Sequence, residues 1–224
     1  SAFIDEIMLK KEELAVDDYG KAIITYMAIF LDKVIARNSS FGIWHKLQET
    51  VEHPFGRQAL PMVFDYPEMN PFSNLSGACD GQLESIINVI CEESAFPCSF
   101  NNVVSGDQYQ FGEKILDCVV TDPPYYDAIS YADLSDFFYV WLKRCIGDLY
   151  PQTFATPLTP KAEECTAIKH RFMGNTAEAR NHFERTLTKI FDTIESQTSD
   201  MVSIMFAHQS TEAWTTLCNS ILEA

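Results

Sequence analysis

Val119-Val120-Thr121-Asp122-Pro123-Pro124-Tyr125-Tyr126-Asp127 is the stretch on which the reading of this chain turns. Val119, Val120 and Thr121 are β-branched and read as the end of a buried strand. The strand cannot run on into Asp-Pro-Pro-Tyr. Each proline fixes its own φ, removes a donor and pushes the residue before it into extended geometry. Asp122 and Pro123 both precede a proline. The product is a stiff elbow that presents the Asp122 carboxylate, the Pro123 carbonyl and the Tyr125 ring at the carboxyl end of a strand. In open α/β sheets that is where ligands sit.

These groups suit the methylation of an amino group on an aromatic ring. Such a nitrogen is a poor nucleophile because its lone pair is delocalised into the ring. A carboxylate and a backbone carbonyl, each accepting one N–H, favour a tetrahedral nitrogen and free the lone pair. A neighbouring aromatic ring stacks on the base, worth roughly 1–3 kcal/mol. Pro–Pro stiffness keeps the acceptors aimed without reorganisation. A strand-to-turn exit without chemistry is the alternative for so short a motif.

Asp122-Pro123-Pro124-Tyr125 resembles the catalytic motif of amino-methyltransferases that use S-adenosylmethionine on adenine or cytosine in DNA. Residues 131–142 (YADLSDFFYVWL) resemble the helix that follows that motif in one subfamily, the large adenine-specific DNA methylases with a zinc-ribbon module and an N-terminal domain of unknown function. Residues 55–62 (FGRQALPM) with 70–72 (NPF), and 154–164 (FATPLTPKAEE), are similar to further segments of it. The likeness runs from about Tyr26 onward.

The resemblance implies a Rossmann-like class I methyltransferase fold with a mostly parallel sheet and flanking helices, S-adenosylmethionine as cofactor, and DNA as partner. It makes Asp122, Pro123, Pro124 and Tyr125 the catalytic group. It assigns Asp107, beside Gly106 at a strand end, to the adenine amino group of the cofactor; the alternative is a turn aspartate. Tyr126, Asp127 and Tyr131 adjoin the elbow and either line the base pocket or cap the next helix. Arg57 and Gln58 read as a hydrogen-bonded turn ahead of a cofactor or DNA contact. His208 reads as a structural or capping histidine ahead of a catalytic one.

With 224 residues, 46% of them hydrophobic, the chain can core one domain. The longest apolar run, residues 22–31, is too short for a bilayer, which needs about 20 residues. No charged-then-apolar signal segment opens the chain. Seven cysteines (Cys79, Cys91, Cys98, Cys118, Cys145, Cys165, Cys218) are odd in number and lack Cys-x-x-Cys spacing. They read as reduced, mostly buried thiols in a cytoplasmic protein, and no metal site is expected.

A net charge of −16 argues against a free-standing DNA binder. Its distribution is uneven. Residues 1–142 carry 8 basic and 22 acidic residues, and residues 190–224 carry none and 5. Residues 143–189 carry 8 basic and 5 acidic, a net of +3. That segment, with Lys143, Arg144, Lys169 and Arg171, is either a DNA-facing surface or a solvated helix face.

Along the chain, Ser1-Ala2 reads as a cloning scar. Residues 17–37 predict a helix capped by Asp17 or Asp18, with Ile23, Tyr26, Met27, Phe30 and Val34 as its apolar stripe, ended by Asn38. Residues 60–65 predict a strand and 66–80 a loop. Asp80 then caps a helix bearing Leu83, Ile86, Ile87 and Ile90. Residues 102–105 and 117–121 predict strands, 132–146 a helix and 151–164 a loop. A capping box at Asn175 and Glu178 starts a helix to about Gln197. Residues 201–207 predict a strand, and Ser210 or Thr211 caps a last helix through Trp214, Leu217 and Ile221. The order indicates α/β with a mainly parallel sheet. Residues 3–224 read as one partial methyltransferase domain, 3–100 linking and 101–224 catalytic.

A methyltransferase also needs a glycine-rich turn at the methionine end of its cofactor. Of nine glycines no two are separated by a single residue. Residues 70–77 follow a strand and precede a helix, but bring only Gly77. The expectation is therefore a fragment that holds the target-base half of a site, with the glycine loop on an upstream remainder of the same polypeptide. The leading function is methyl transfer to the amino nitrogen of a flipped base, adenine ahead of cytosine, since that nitrogen is otherwise inside the duplex. Methylation of RNA or of a protein glutamine is the second reading, and a non-catalytic interaction module the third.

Overall fold

The computed structural model describes residues 2–52, 54–56, 58–75, 77–95 and 116–224. In chain order these form α1 (Ala2–Leu14), α2 (Asp18–Arg37), β1 (Ile43–His45), β2 (Thr50–Glu52), α3 (Cys79–Ser94), β3 (Leu116–Thr121), α4 (Tyr131–Ile146), a 3-10 turn (Lys169–Phe172), α5 (Thr176–Gln197), β4 (Thr198–Ile204) and α6 (Thr211–Glu223). The chain is α/β. Among the described residues the expected parallel sheet is one pair, β3 with β4, and β1 and β2 form a separate antiparallel pair.

The chain divides into two compact units, Ser1–Ser99 with Ala132–Thr159 and Phe100–Tyr131 with Pro160–Ala224. The sequence reading placed residues 132–159 with the catalytic strand, whereas they pack with the N-terminal part. The reason is apolar: Tyr139, Cys145, Ile146 and Phe154 share a buried cluster with Ile7, Ile24, Ala28 and Leu31.

In the first unit α2 starts where Asp17 accepts the Gly20 N–H at 2.7 Å. Gly20 is required because a Cβ there would collide with the Leu14 carbonyl at the end of α1. The buried stripe of α2 is turned from the one expected. Val34 is inside as expected, together with Ile24, Ala28 and Leu31, while Tyr26 is 45% exposed. The same unit holds α1, which the composition did not signal and which begins at Ala2, within the supposed scar. Residues 60–65 are not a strand: Pro61 lacks a donor, and Met62 and Phe64 are 91% and 94% exposed. Asp80 does not cap α3. Its N-cap is Ala78, with Asp80 in the first turn, and of the expected apolar face only Ile86 is buried.

In the second unit α5 packs Ala179, Phe183, Leu187 and Phe191, at four-residue spacing, against Ala213 and Leu217 of α6. The predicted caps hold. Asn175 accepts the N–H groups of Ala177 and Glu178 at 3.1 and 3.2 Å, and Ser210 accepts that of Ala213 at 3.2 Å. β4 begins three residues before the expected start, because Thr198 closes α5 and pairs at once with Leu116. The β3–β4 pair is half-covered and not buried as expected. Ile204 packs on the α5–α6 core, while Val120 and Met201 are 67% and 55% exposed.

Candidate active site

β3 and β4 run side by side to the elbow. Val119, Val120 and Thr121 lie opposite Val202, Ser203 and Ile204, and the Met205 N–H donates to the Thr121 carbonyl at 2.9 Å. Both chains therefore leave the sheet at the same end. Asp122 is exposed, Pro123 buried, and Pro124 and Tyr125 half-buried. The turn closes tightly, with the Tyr126 N–H on the Pro124 carbonyl at 3.0 Å and the Ala128 N–H on the Tyr125 carbonyl at 2.9 Å. Among the described residues no backbone N–H is bonded to the Pro123 carbonyl.

The Tyr125 ring meets Phe206 edge to face at 5.9 Å between centroids. Its hydroxyl reaches the Asp122 carboxylate, the main cause that pushes the phenol up, with burial and the nearby Tyr131 adding to it. The Asp122 carboxylate and the Tyr125 ring thus lie together at the strand end, and Asp122 stays open to solvent. Two acceptors beside a ring can hold a planar amine by its N–H groups and its face.

Tyr126 lies deeper. Its φ is 50°, a left-handed conformation unfavourable for a bulky residue. Three contacts hold it there. Its carbonyl accepts from Ala167 N–H at 2.9 Å, and its ring, 4% exposed, packs edge to face on Phe183 and His208. Its hydroxyl reaches Glu212, which pairs with Arg180 at 3.7 Å. Burial is the leading cause that pushes this phenol up to about 12. Its ring therefore belongs to the core rather than to an open pocket. Asp127 meets His208 Nε2 at 3.4 Å. Tyr131, the first residue of α4, is 37% exposed.

Gly106 and Asp107, the residues expected at the cofactor, lie outside the described residues, as do Arg57 and the strand expected at 102–105. Gln58, with φ 57°, sits in a turn closed on the Phe55 carbonyl. The basic segment does not form one surface within either unit. Lys143 and Arg144 belong to the first unit, where Lys143 Nζ donates to the Thr156 carbonyl at 2.5 Å and Arg144 lies over the Trp141 ring. Lys169 and Arg171 belong to the second, where Arg171 pairs with Glu164, both side chains nearly buried. Gly77 has φ 90°, and a Cβ there would come within 2.8 Å of the Arg37 side chain.

Phe206 escaped the sequence reading. Its only signal is position, two residues beyond a strand that ends level with β3. Among the described residues no group of three or more His, Cys, Asp or Glu side chains could hold a metal, and no helix is long and apolar enough to cross a membrane. Comparisons with protein-family models, with curated proteins and with solved structures find no match to this chain.

Proposed function

We propose that the chain carries the target-base half of an amino-methyltransferase, which moves a methyl group from S-adenosylmethionine to the exocyclic amino group of a flipped DNA base, adenine ahead of cytosine. The observation that carries this reading is the placement of Asp122-Pro123-Pro124-Tyr125 at the carboxyl end of a strand in a parallel pair, with the carboxylate exposed beside the Tyr125 ring. On this reading β3 and β4 are two strands of a Rossmann-like class I sheet.

The chemistry follows from the elbow. Asp122 accepts one N–H of the base and the Pro123 carbonyl the other, which draws the nitrogen towards tetrahedral geometry. Tyr125 stacks on the base, once its hydroxyl has left Asp122. No stronger base is required, because the nitrogen becomes acidic once it is alkylated. S-adenosylmethionine supplies the electrophilic methyl group, and no glycine cradle for it exists among the described residues.

A second reading, methylation of a glutamine amide, draws on the charge. The chain has a net charge of −16, and two of the four cations assigned to DNA, Lys143 and Arg171, are engaged within the protein. The same two acceptors fit a primary amide.

The test is methyl transfer by the full-length protein from labelled donor to mixed genomic DNA, RNA and glutamine-containing peptides. Nucleoside analysis of the product then identifies the base. Asp122→Ala is expected to keep DNA binding and to lose turnover by about 10²–10³-fold in kcat, the scale for one preorganised acceptor. Wild-type turnover in that variant overturns the reading. Label found in glutamine alone moves the second reading ahead.

A further inference from the structure

The side chain of Asp127 has one partner among the described residues, His208, and the setting of that histidine assigns its tautomer. The Ser210 backbone N–H lies 3.1 Å from His208 Nδ1. A backbone N–H can only donate, so Nδ1 carries the lone pair and, in the neutral ring, the proton sits on Nε2. Nε2 is the nitrogen that faces Asp127 Oδ1 at 3.4 Å. The ring has little freedom to turn. Its side chain is 12% exposed, its faces and edges meet Tyr126 and Phe206, and the His208 carbonyl is held by Trp214 Nε1 at 3.0 Å. Ser210 in turn is the N-cap of α6. A rigid helix end is thereby linked to the residue that follows the left-handed turn at Tyr126.

We propose that His208 is a positioning residue of the elbow: held as the Nε2–H tautomer by Ser210, it fixes Asp127 and so the turn that aims the Tyr125 ring and the Asp122 carboxylate. The turn needs such a hold because Tyr126 occupies backbone space disfavoured for its size. An orienting polar contact behind a reacting group helps to keep it within productive geometry. Asp127 on this view serves the elbow from behind and leaves the base to Asp122, Pro123 and Tyr125. The kinetic part of the test rests on the methyl-transfer reading, and the spectroscopic part does not.

The spectroscopic part uses the 224-residue chain labelled with ¹⁵N in its five histidines. The signals of His208 are assigned by their loss in His208→Gln. At a pH where the ring is neutral, a pyrrole-type Nε2 and a pyridine-type Nδ1 are expected. The Tyr125 ring resonances should move in His208→Ala and Asp127→Ala and stay near their native shifts in His208→Gln, which keeps an N–H donor. An Nδ1–H tautomer overturns the proposal, and so does a Tyr125 ring indifferent to all three changes. In the full-length protein His208→Ala should lower kcat on the order of ten- to a hundredfold with the KM for DNA unchanged, the scale of a misplaced catalytic group. His208→Gln should recover most of it, and His208→Ala with Asp127→Ala together should be no worse than either. Equal loss in the alanine and glutamine variants assigns His208 to stability alone. A native protein that transfers no methyl group would count against the function and leave the spectroscopic result to decide the positioning.

Discussion

The Met205 N–H donates to the Thr121 carbonyl at 2.9 Å, one peptide past the last facing pair of β3 and β4. This bond carries the parallel register to the edge of the elbow and sets Phe206 against Tyr125. Phe206 also meets the Trp214 ring edge-on at 5.2 Å, so the wall behind Tyr125 is anchored in α6.

Phe206→Ala should therefore loosen Tyr125 without touching Asp122. One aromatic pair is worth about 0.5–1.5 kcal/mol, which on the methyl-transfer reading is roughly a threefold to tenfold rise in the KM for DNA with kcat little changed. Phe206→Tyr, which keeps the ring, should behave as wild type. Steady-state kinetics on both variants check this. An unchanged KM in Phe206→Ala would show that Tyr125 needs no such wall.

The sequence carried the local signals of this fold more plainly than its layers. Asp17, Asn175 and Ser210 all cap the helices assigned to them, because a cap depends on residues three apart. The elbow was legible for the same reason, since two prolines dictate backbone shape within a few residues. What depends on distant partners was not. The stripe of α2 is set by α1 and by Tyr139, Cys145 and Ile146 of α4, which turn Tyr26 outward and bring Ile24 in. Residues 60–65 alternate like a strand and find no strand to pair with among the described residues. At the site, Asp122 to Tyr125 stood out, but the buried setting of Tyr126 arises from Phe183, His208 and Glu212, 57 to 86 positions away.

Gly20 makes a backbone prediction. Its Cα faces the Leu14 carbonyl so closely that a methyl group must displace the end of α1. Gly20→Ala raises helix propensity by about 1 kcal/mol in isolation. Here the sign should reverse, with a net loss of about 1–3 kcal/mol by overpacking. Urea titration of both proteins reads the difference, and an increase in stability would mean that α1 does not press on this position.

Arg171 separates a buried pair from a DNA contact. Its guanidinium pairs with Glu164 and donates to the Lys161 carbonyl at 3.2 Å, with 13% and 11% of the two side chains exposed. Arg171→Ala should lower stability by roughly 3–5 kcal/mol, because it strips the main cation from a buried carboxylate. Arg171→Ala with Glu164→Gln should recover part of that. Thermal melts test the first effect and the double variant the second. A DNA-facing residue would instead leave the melt unchanged and reduce the salt slope of binding by about 1.

Asp32 sets a pH dependence in the first unit. It lies on α2, is 7% exposed, and its Oδ1 has no hydrogen-bond partner. Burial alone pushes its carboxyl up to about 7 from an ordinary 3.8, and no neighbouring charge contributes. Between those two values the unfolded chain is ionised while the folded chain binds a proton, so stability falls as pH rises. The full stability is present below about 3.8, and the loss is complete above about 7. At about 1.4 kcal/mol per pH unit, the ionised state is on the order of 4 kcal/mol less stable than a neutral one. Asp32→Asn removes the titration and nearly keeps the shape. It should match the wild type near pH 4, gain steadily through pH 5 and 6, and reach a constant excess above pH 7. Asp32→Leu, of similar size, should show the same profile with a larger offset, since no polar atom is then left buried. Stability measured by urea titration from pH 4 to 8 gives the two curves. A gain independent of pH would assign the benefit to packing, and a loss at pH 8 would mean that Asp32 has a cationic partner when ionised.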